Sequence, residues 1–384
     1  MQKKALAIIE RSCKEFQPIH FTKVTPKIFV NFLSSMARTN TDGNKTLSKS
    51  GCGSYRSALK DLYRQCQVQV PPVFEAELTT LFKGLLRAHA QEKEKIGSRL
   101  AEGKDPMPFA LYKILCKKMM ADPTKEAIFA HVFLTLTWNL ICRSKNTVYI
   151  HRNHIYWDHD LLVIMFAHMK TSMEGSDSQQ KRHVYANPKN ISICAVTALA
   201  KYLITFPAKA DGMLFDKNSY NRFGTHLQKV VKENKDEVER LGIKLEDIGV
   251  HSIRKGAAKY CCSGTTAAPH IAAVCICAGW TMGRVKDTYI QYAAAGDQHV
   301  GRVIAGLPVL SKDYACSPPY FRIDDTDPAA SNTCTSDDVN EILQHFFLFE
   351  ISVQFKPVAI AAVAALMYAR DELNNKQPEF RLVL

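Results

Sequence analysis

His251 and Arg254 stand three residues apart, and Trp280 and Tyr289 stand nine apart. On a helix, an i, i+3 pair shares one face, so His251 and Arg254 can point to the same place from a first turn. The apolar run from Ile271 to Ala278 ends in Gly279-Trp280, and TMGRVKDTYIQY beyond it has helical character. Arg offers a planar fork of donors that fits phosphate oxygens. A Tyr oxygen can attack phosphorus and hold the product as a covalent ester. Brought together, the four residues would be a phosphate-handling cluster with a hydroxyl nucleophile.

The elements that must carry them can be read in order. Residues 1–16 are amphipathic. Thr25-Pro26 opens a helix with Phe29, Phe32 and Leu33 as its apolar stripe. Residues 39–54 read as a polar, Gly-rich loop. Helices are expected over 55–66 and from about Glu75 to Lys95, after the break at Pro71-Pro72. AEGKDPMPF (101–109) reads as a linker, and helices are expected over 109–120 and 124–142. The second of these is strongly apolar and ends in CRSKNT. Arg143 therefore lies just past the end of a buried helix, where a cation either needs a partner or meets the helix dipole. HIYW (154–157), the turn DHD (158–160) and LLVIMFAHM (161–169) read as a hairpin, and 182–186 as a returning strand. Lys170 and Lys181 sit at the two ends of the polar turn between them. Further helices are expected over 194–206, 220–232, 296–307, 337–349 and 356–373.

HSIR, then Gly-Trp, then a Tyr nine residues on, resembles the C-terminal half of the active site of tyrosine recombinases, the phage-integrase superfamily. That family reads Arg, Lys, His-x-x-Arg, His or Trp, then Tyr. The resemblance implies a catalytic set of Arg143, Lys170, His251, Arg254, Trp280 and Tyr289, whose separations of 27, 81, 3, 26 and 9 residues are similar to the family's usual spacing. Arg152 is the second candidate for the first Arg, Lys181 for the Lys, and Tyr292 for the nucleophile. Many relatives have His where Trp280 stands. Trp can donate or pack but does no acid–base work.

The resemblance also implies a fold that is mainly α with a small β-sheet. Residues 1–104 would be a helical DNA-clamping domain and 105–308 the catalytic domain, with 309–384 an acidic extension of unknown role. Arg56, Lys60 and Arg64, on one face of the 55–66 helix, would touch DNA in the first of these. The implied partner is double-stranded DNA, held by a homo-tetramer on paired sites, without metal, ATP or other cofactor. HSIRKGAA, the Ala-Asn-Pro after the hairpin and the Cys usage look like the eukaryotic Crypton-type branch. Two alternatives stand beside this reading: a DNA-binding descendant that no longer cuts, and a type IB topoisomerase.

Composition bears on the partner. The 384 residues carry a net charge of +13. Residues 1–104 hold 18 Lys+Arg against 9 Asp+Glu, 105–308 hold 26 against 17, and 309–384 hold 6 against 11. Two basic regions followed by an acidic tail favour a polyanion partner for residues 1–308. The tail could pack on the core, on a second subunit, or stand in solvent. The 12 Cys are too dispersed along a long chain for a disulfide scaffold and read as reduced intracellular thiols. CysCys at 261–262 and Cys275-x-Cys277 lack the paired spacing of a zinc site. The Gly-Cys-Gly-Ser at 51–54 lacks the Lys-Ser/Thr of a phosphate loop. No apolar run reaches the ~18 residues of a membrane span, and the first residues lack a signal-peptide pattern. The expected location is the nucleus in a eukaryote and the cytoplasm otherwise.

Overall fold

The computed structural model describes residues 20–36, 38–39, 45–46, 49–95, 104–166, 181–208, 212–280, 294–327, 333–347 and 349–376. Lys170, Tyr289 and Tyr292 lie outside these ranges. The chain divides into two compact units between Glu102 and Gly103.

In the first unit, α1 (Pro26–Ser35) starts under a Thr25 cap, whose Oγ1 accepts from the Ile28 amide. A pair of two-residue strands follows, β1 (Arg38–Thr39) and β2 (Lys45–Thr46), then α2 (Lys49–Gln65) and α3 (Pro72–Lys95). α2 begins earlier than the sequence suggests, inside the Gly-rich stretch expected to be loop. Cys52 explains this. It is buried in the small core of Phe29, Leu33, Phe74, Leu78 and Phe82. Packing it there offsets the roughly 1 kcal/mol that each helical Gly costs.

The second unit is built on α5 (Lys125–Asn139), in which every side chain from Ala127 to Asn139 is buried. A helix apolar all round can only be a core helix, and its few polar groups are tied off locally. Thr135 Oγ1 donates to the His131 carbonyl at 2.9 Å, Asn139 Nδ2 donates to the Thr135 carbonyl at 2.8 Å, and His131 Nε2 meets the Ser192 carbonyl at 2.6 Å. Around α5 lie α4 (Phe109–Ala121), α7 (Ala195–Thr205), α8 (Ser219–Glu233) and α10 (Val250–Ser263). Short helices α6 (Ser144–Val148) and α9 (Lys235–Arg240) follow α5 and α8. The sequence pattern did not single out either.

The sheet is antiparallel in the order β3 (Ile155–Asp158), β4 (Leu161–Met165), β5 (Lys181–Tyr185). Asp158 pairs with Leu161 across a two-residue turn whose first residue, His159, has φ +51°. Short tight turns of this kind demand a left-handed residue. In β5, Arg182 lies opposite Ile164 and His183 opposite Val163. His183 Nδ1 sits 2.6 Å from the buried Asp297 carboxylate on α12 (Ala294–Ile304), which fastens β5 to that helix. The molecule is therefore mainly α-helical with one small three-stranded sheet, the architecture expected from the sequence.

Part of the acidic tail packs on the core. After α13 (Ser336–Phe346), the Ala-rich α14 (Lys356–Lys376) packs on α7 and β3. Val358, Ala359, Ala362, Val363, Leu366, Ala369 and Leu373 all enter the main core. Small residues let the helix approach closely, so it completes the core rather than decorating it.

Candidate active site

Arg143 leaves the core at the end of α5. Leu140 ends the helix, Ile141 takes φ +45° while fully buried, and Arg143 becomes the residue that starts α6. A β-branched residue pays roughly 1–2 kcal/mol for a left-handed backbone. Burial of the Ile141 side chain outweighs that cost. The turn lifts Arg143 out of the helix line, so it is half-buried at the mouth of the core.

Arg254 comes from the first half of α10. Gly249 precedes this helix, and its N–H bonds the Ser252 hydroxyl at 3.0 Å. His251 is exposed on the first turn, and Arg254 follows half-buried one turn on. α10 is held close to residue 107: the Met107 amide donates to the Ser252 carbonyl at 2.9 Å, and a Cβ on Gly256 would meet the Met107 carbonyl oxygen at 2.0 Å. Only Gly fits there.

Trp280 follows α11 (Ile271–Ala278). Gly279 closes that helix in the left-handed conformation at φ +65°, and the Trp280 amide donates to the Cys275 carbonyl at 2.9 Å. This is the Gly-centred C-terminal cap expected of a helix ending at Ala-Gly. Trp280 is thereby turned back, and its ring lies under Arg254, 5.5 Å from guanidinium carbon to ring centre. Arg254 also donates from Nη2 to the Ala278 carbonyl.

These placements bring Arg143, His251, Arg254 and Trp280 to one end of α10. Burial holds the Arg254 guanidinium below its ordinary range, and the positive charges of Arg143 and, more weakly, Arg182 push the same way. Arg254 Nε is buried and makes no hydrogen bond. Among the described residues, no carboxylate pairs with Arg143 or Arg254. Like charges held together without a counter-ion are costly. The arrangement suits an anion that arrives from outside.

The alternatives fare differently. Arg152 is also buried, but its guanidinium stacks 4.8 Å from the Phe349 ring centre and its electrostatic neighbour is Tyr202, not Arg254. Lys181 lies over the Tyr156 ring at 5.9 Å, along the sheet. Lys170, Tyr289 and Tyr292 fall outside the described residues. In the first unit, Arg56 donates to Thr79 Oγ1 at 2.8 Å and covers Phe82, Lys60 pairs with Glu75, and Arg64 pairs with Asp61 while keeping a largely exposed side chain. The expected basic stripe is thus partly engaged within its own unit.

Arg182 escaped the sequence reading. It is 1% exposed and joins the cluster from β5. One signal was present: strand alternation puts it on the same face as the fully buried Val184. Among the described residues, no group of three or more His, Cys, Asp or Glu is placed to hold a metal ion, and no helix is long and apolar enough to cross a membrane. The described cysteines are all unbridged.

No protein-family model matches the chain, and no curated protein matches it. Among solved structures, it is similar to FLP recombinase in a Holliday-junction complex, at 12% identity and a TM-score of 0.38, over 81% of this chain and 73% of that one. It is also similar to the site-specific recombinase XerH bound to its difH substrate before cleavage, at 12% identity and a TM-score of 0.41, over 75% and 73%.

Proposed function

We propose that the protein is a DNA strand transferase that works as tyrosine recombinases do. The observation that carries this reading is the convergence of Arg143 and Arg254, with His251 and Trp280 beside them and, among the described residues, no carboxylate paired with either Arg. A phosphodiester supplies the missing charge. The order Arg143, Lys170, His251, Arg254, Trp280, Tyr289 supports the reading independently.

In this mechanism Tyr289 Oη attacks the phosphorus of one DNA strand. The bond to the 5′ oxygen breaks, and the strand stays attached through a 3′-phosphotyrosyl ester. Arg143 and Arg254 hold the two non-bridging oxygens as charge builds in the transition state. Lys170 protonates the leaving oxygen, and His251 accepts the Tyr289 proton. Trp280 packs under Arg254 and fixes its plane. Phosphoester bond energy is retained, so rejoining requires no ATP. The basic residues 1–308 hold the duplex, and a homo-tetramer on paired sites exchanges strands. HSIRKGAA favours the Crypton-type branch.

The test is covalent capture on a pool of nicked suicide duplexes, without metal or ATP, on a denaturing gel. Wild-type protein is expected to give a slow covalent band that Tyr289→Phe and Arg254→Ala lack. Salt-sensitive DNA binding by all three, with no band from any, would overturn the transferase and leave a DNA-binding protein. A band with relaxation of supercoils by a monomer would favour the topoisomerase.

A further inference from the structure

The last four carbonyls of a helix have no partner within it. At the end of α11 all four are accounted for. The Trp280 amide takes Cys275, and the Gly279 amide takes Ile276. Arg182 Nε donates to Cys277 at 2.8 Å, and its Nη2 reaches Ile276 at 3.3 Å. Arg254 Nη2 takes Ala278. Two guanidiniums from different elements therefore cap one helix end, where the helix dipole favours positive charge.

Arg182 also donates from Nη1 to the Lys181 carbonyl at 2.7 Å. Each of its three nitrogens thus has a protein carbonyl as a partner. The geometry points to Arg182 as a positioning residue for the phosphate site. It locks the root of β5 to the end of α11, and Arg254 takes the neighbouring Ala278 carbonyl and the Trp280 ring. Without Arg182, the buried Cys277 carbonyl loses its donor. Arg254 is the adjacent guanidinium and turns toward it, off the ring and away from the incoming anion. Lys would not replace it, because one ammonium cannot span two successive carbonyls as a planar fork does. What the site does rests on the proposed function; the locking itself does not.

Trp280 reports the geometry without any reaction. The chain has three Trp. Its emission is therefore isolated by subtracting the spectrum of the same protein carrying Trp280→Phe. Wild type, Arg182→Lys and Arg182→Ala are compared as full chains, with circular dichroism to establish folding. In Arg182→Ala, Trp280 emission is expected to shift and its acrylamide quenching to rise. Millimolar guanidinium should restore both, while sodium chloride at equal ionic strength should not. Arg182→Lys should show the shift in part. Covalent DNA capture should fall about 100-fold in Arg182→Ala, as a misplacement of about 1 Å does, and should recover with guanidinium.

Unchanged Trp280 emission in a folded Arg182→Ala protein would overturn the inference. So would a shift that guanidinium leaves in place, which marks a merely structural Arg. If Arg182→Ala does not fold, Arg182→Lys decides alone, and wild-type emission there defeats the inference. If neither folds, Arg182 serves stability and the inference is lost. Absence of capture by wild type would defeat the proposed function while the emission measurements still decide the role of Arg182.

Discussion

Arg254 lies across the Trp280 ring, 5.5 Å from its centre, and bonds the carbonyl of Ala278 two residues before that Trp. The ring is a shelf for a cation, and its aromatic face is expected to carry the larger share of its effect. Trp280→Phe should therefore keep most of the covalent capture rate. Trp280→Ala should lose about 5- to 30-fold, the equivalent of a partly desolvated cation–π contact of about 1–2 kcal/mol. Single-turnover capture on the suicide duplex measures both. Equal losses in the two variants would refute the shelf.

Arg143 is expected to act through charge and fork together. Arg143→Ala should lower capture by about 10²–10³, the usual loss of one transition-state donor. Arg143→Lys should recover only part of it. Filter binding at increasing salt should show DNA affinity nearly unchanged in both. A loss of affinity matching the loss of rate would make Arg143 a binding residue instead.

The proposed nucleophile, Tyr289, rests on spacing alone. Tyr289→Phe should abolish the covalent band and Tyr292→Phe should retain it. Mass spectrometry of the trapped peptide reads the same answer directly. The reverse pattern would move the chemistry to Tyr292.

Much of the fold was legible because its elements are strongly patterned. The apolar run before Arg143 had to be a core helix, and the Asp158–Asp160 turn between apolar strands had to be a hairpin. The i, i+3 spacing of His251 and Arg254 placed them correctly on one helix. What was illegible depended on partners far along the chain. Cys52 pulled a helix start into a Gly-rich stretch because Phe74 and Leu78 waited on the other side. Arg182 was not singled out because the carbonyls it caps lie some 95 positions away. The Ala-rich tail showed no motif, since its role is to fit a shape on α7.

Acid should weaken the second unit through His131. Burial first, then the Lys201 charge, push its pKa down from 6.5 to about 4, against the opposing bond to the Ser192 carbonyl. Below pH 6.5 the unfolded chain takes a proton that the folded chain refuses. Stability is therefore full above pH 6.5 and falls as pH drops toward 4. The residue should account for about 2 kcal/mol between pH 7 and 5. Urea titrations at the two pH values, compared with His131→Gln, check this. An unchanged pH difference in the variant would clear His131.

Gly256→Ala tests the seating of α10. The added methyl would strike the Met107 carbonyl, which is backbone and cannot swing away. A loss of about 1–3 kcal/mol is expected, typical of overpacking, together with reduced capture as Arg254 shifts. Thermal melts and capture assays should move in step. Gly53→Ala has open space around its Cβ and serves as the control.

The burial of α14 has a consequence for how the protein is made. Leu366 and Leu373 are fully enclosed, and the face of α7 beneath them is apolar. The second unit therefore cannot close until residues 356–376 have been synthesised and have left the ribosome. Domains generally fold during synthesis from the N-terminal side. Here the first unit can form before residues 356–376 are made, while the arginine cluster acquires its final geometry only after them.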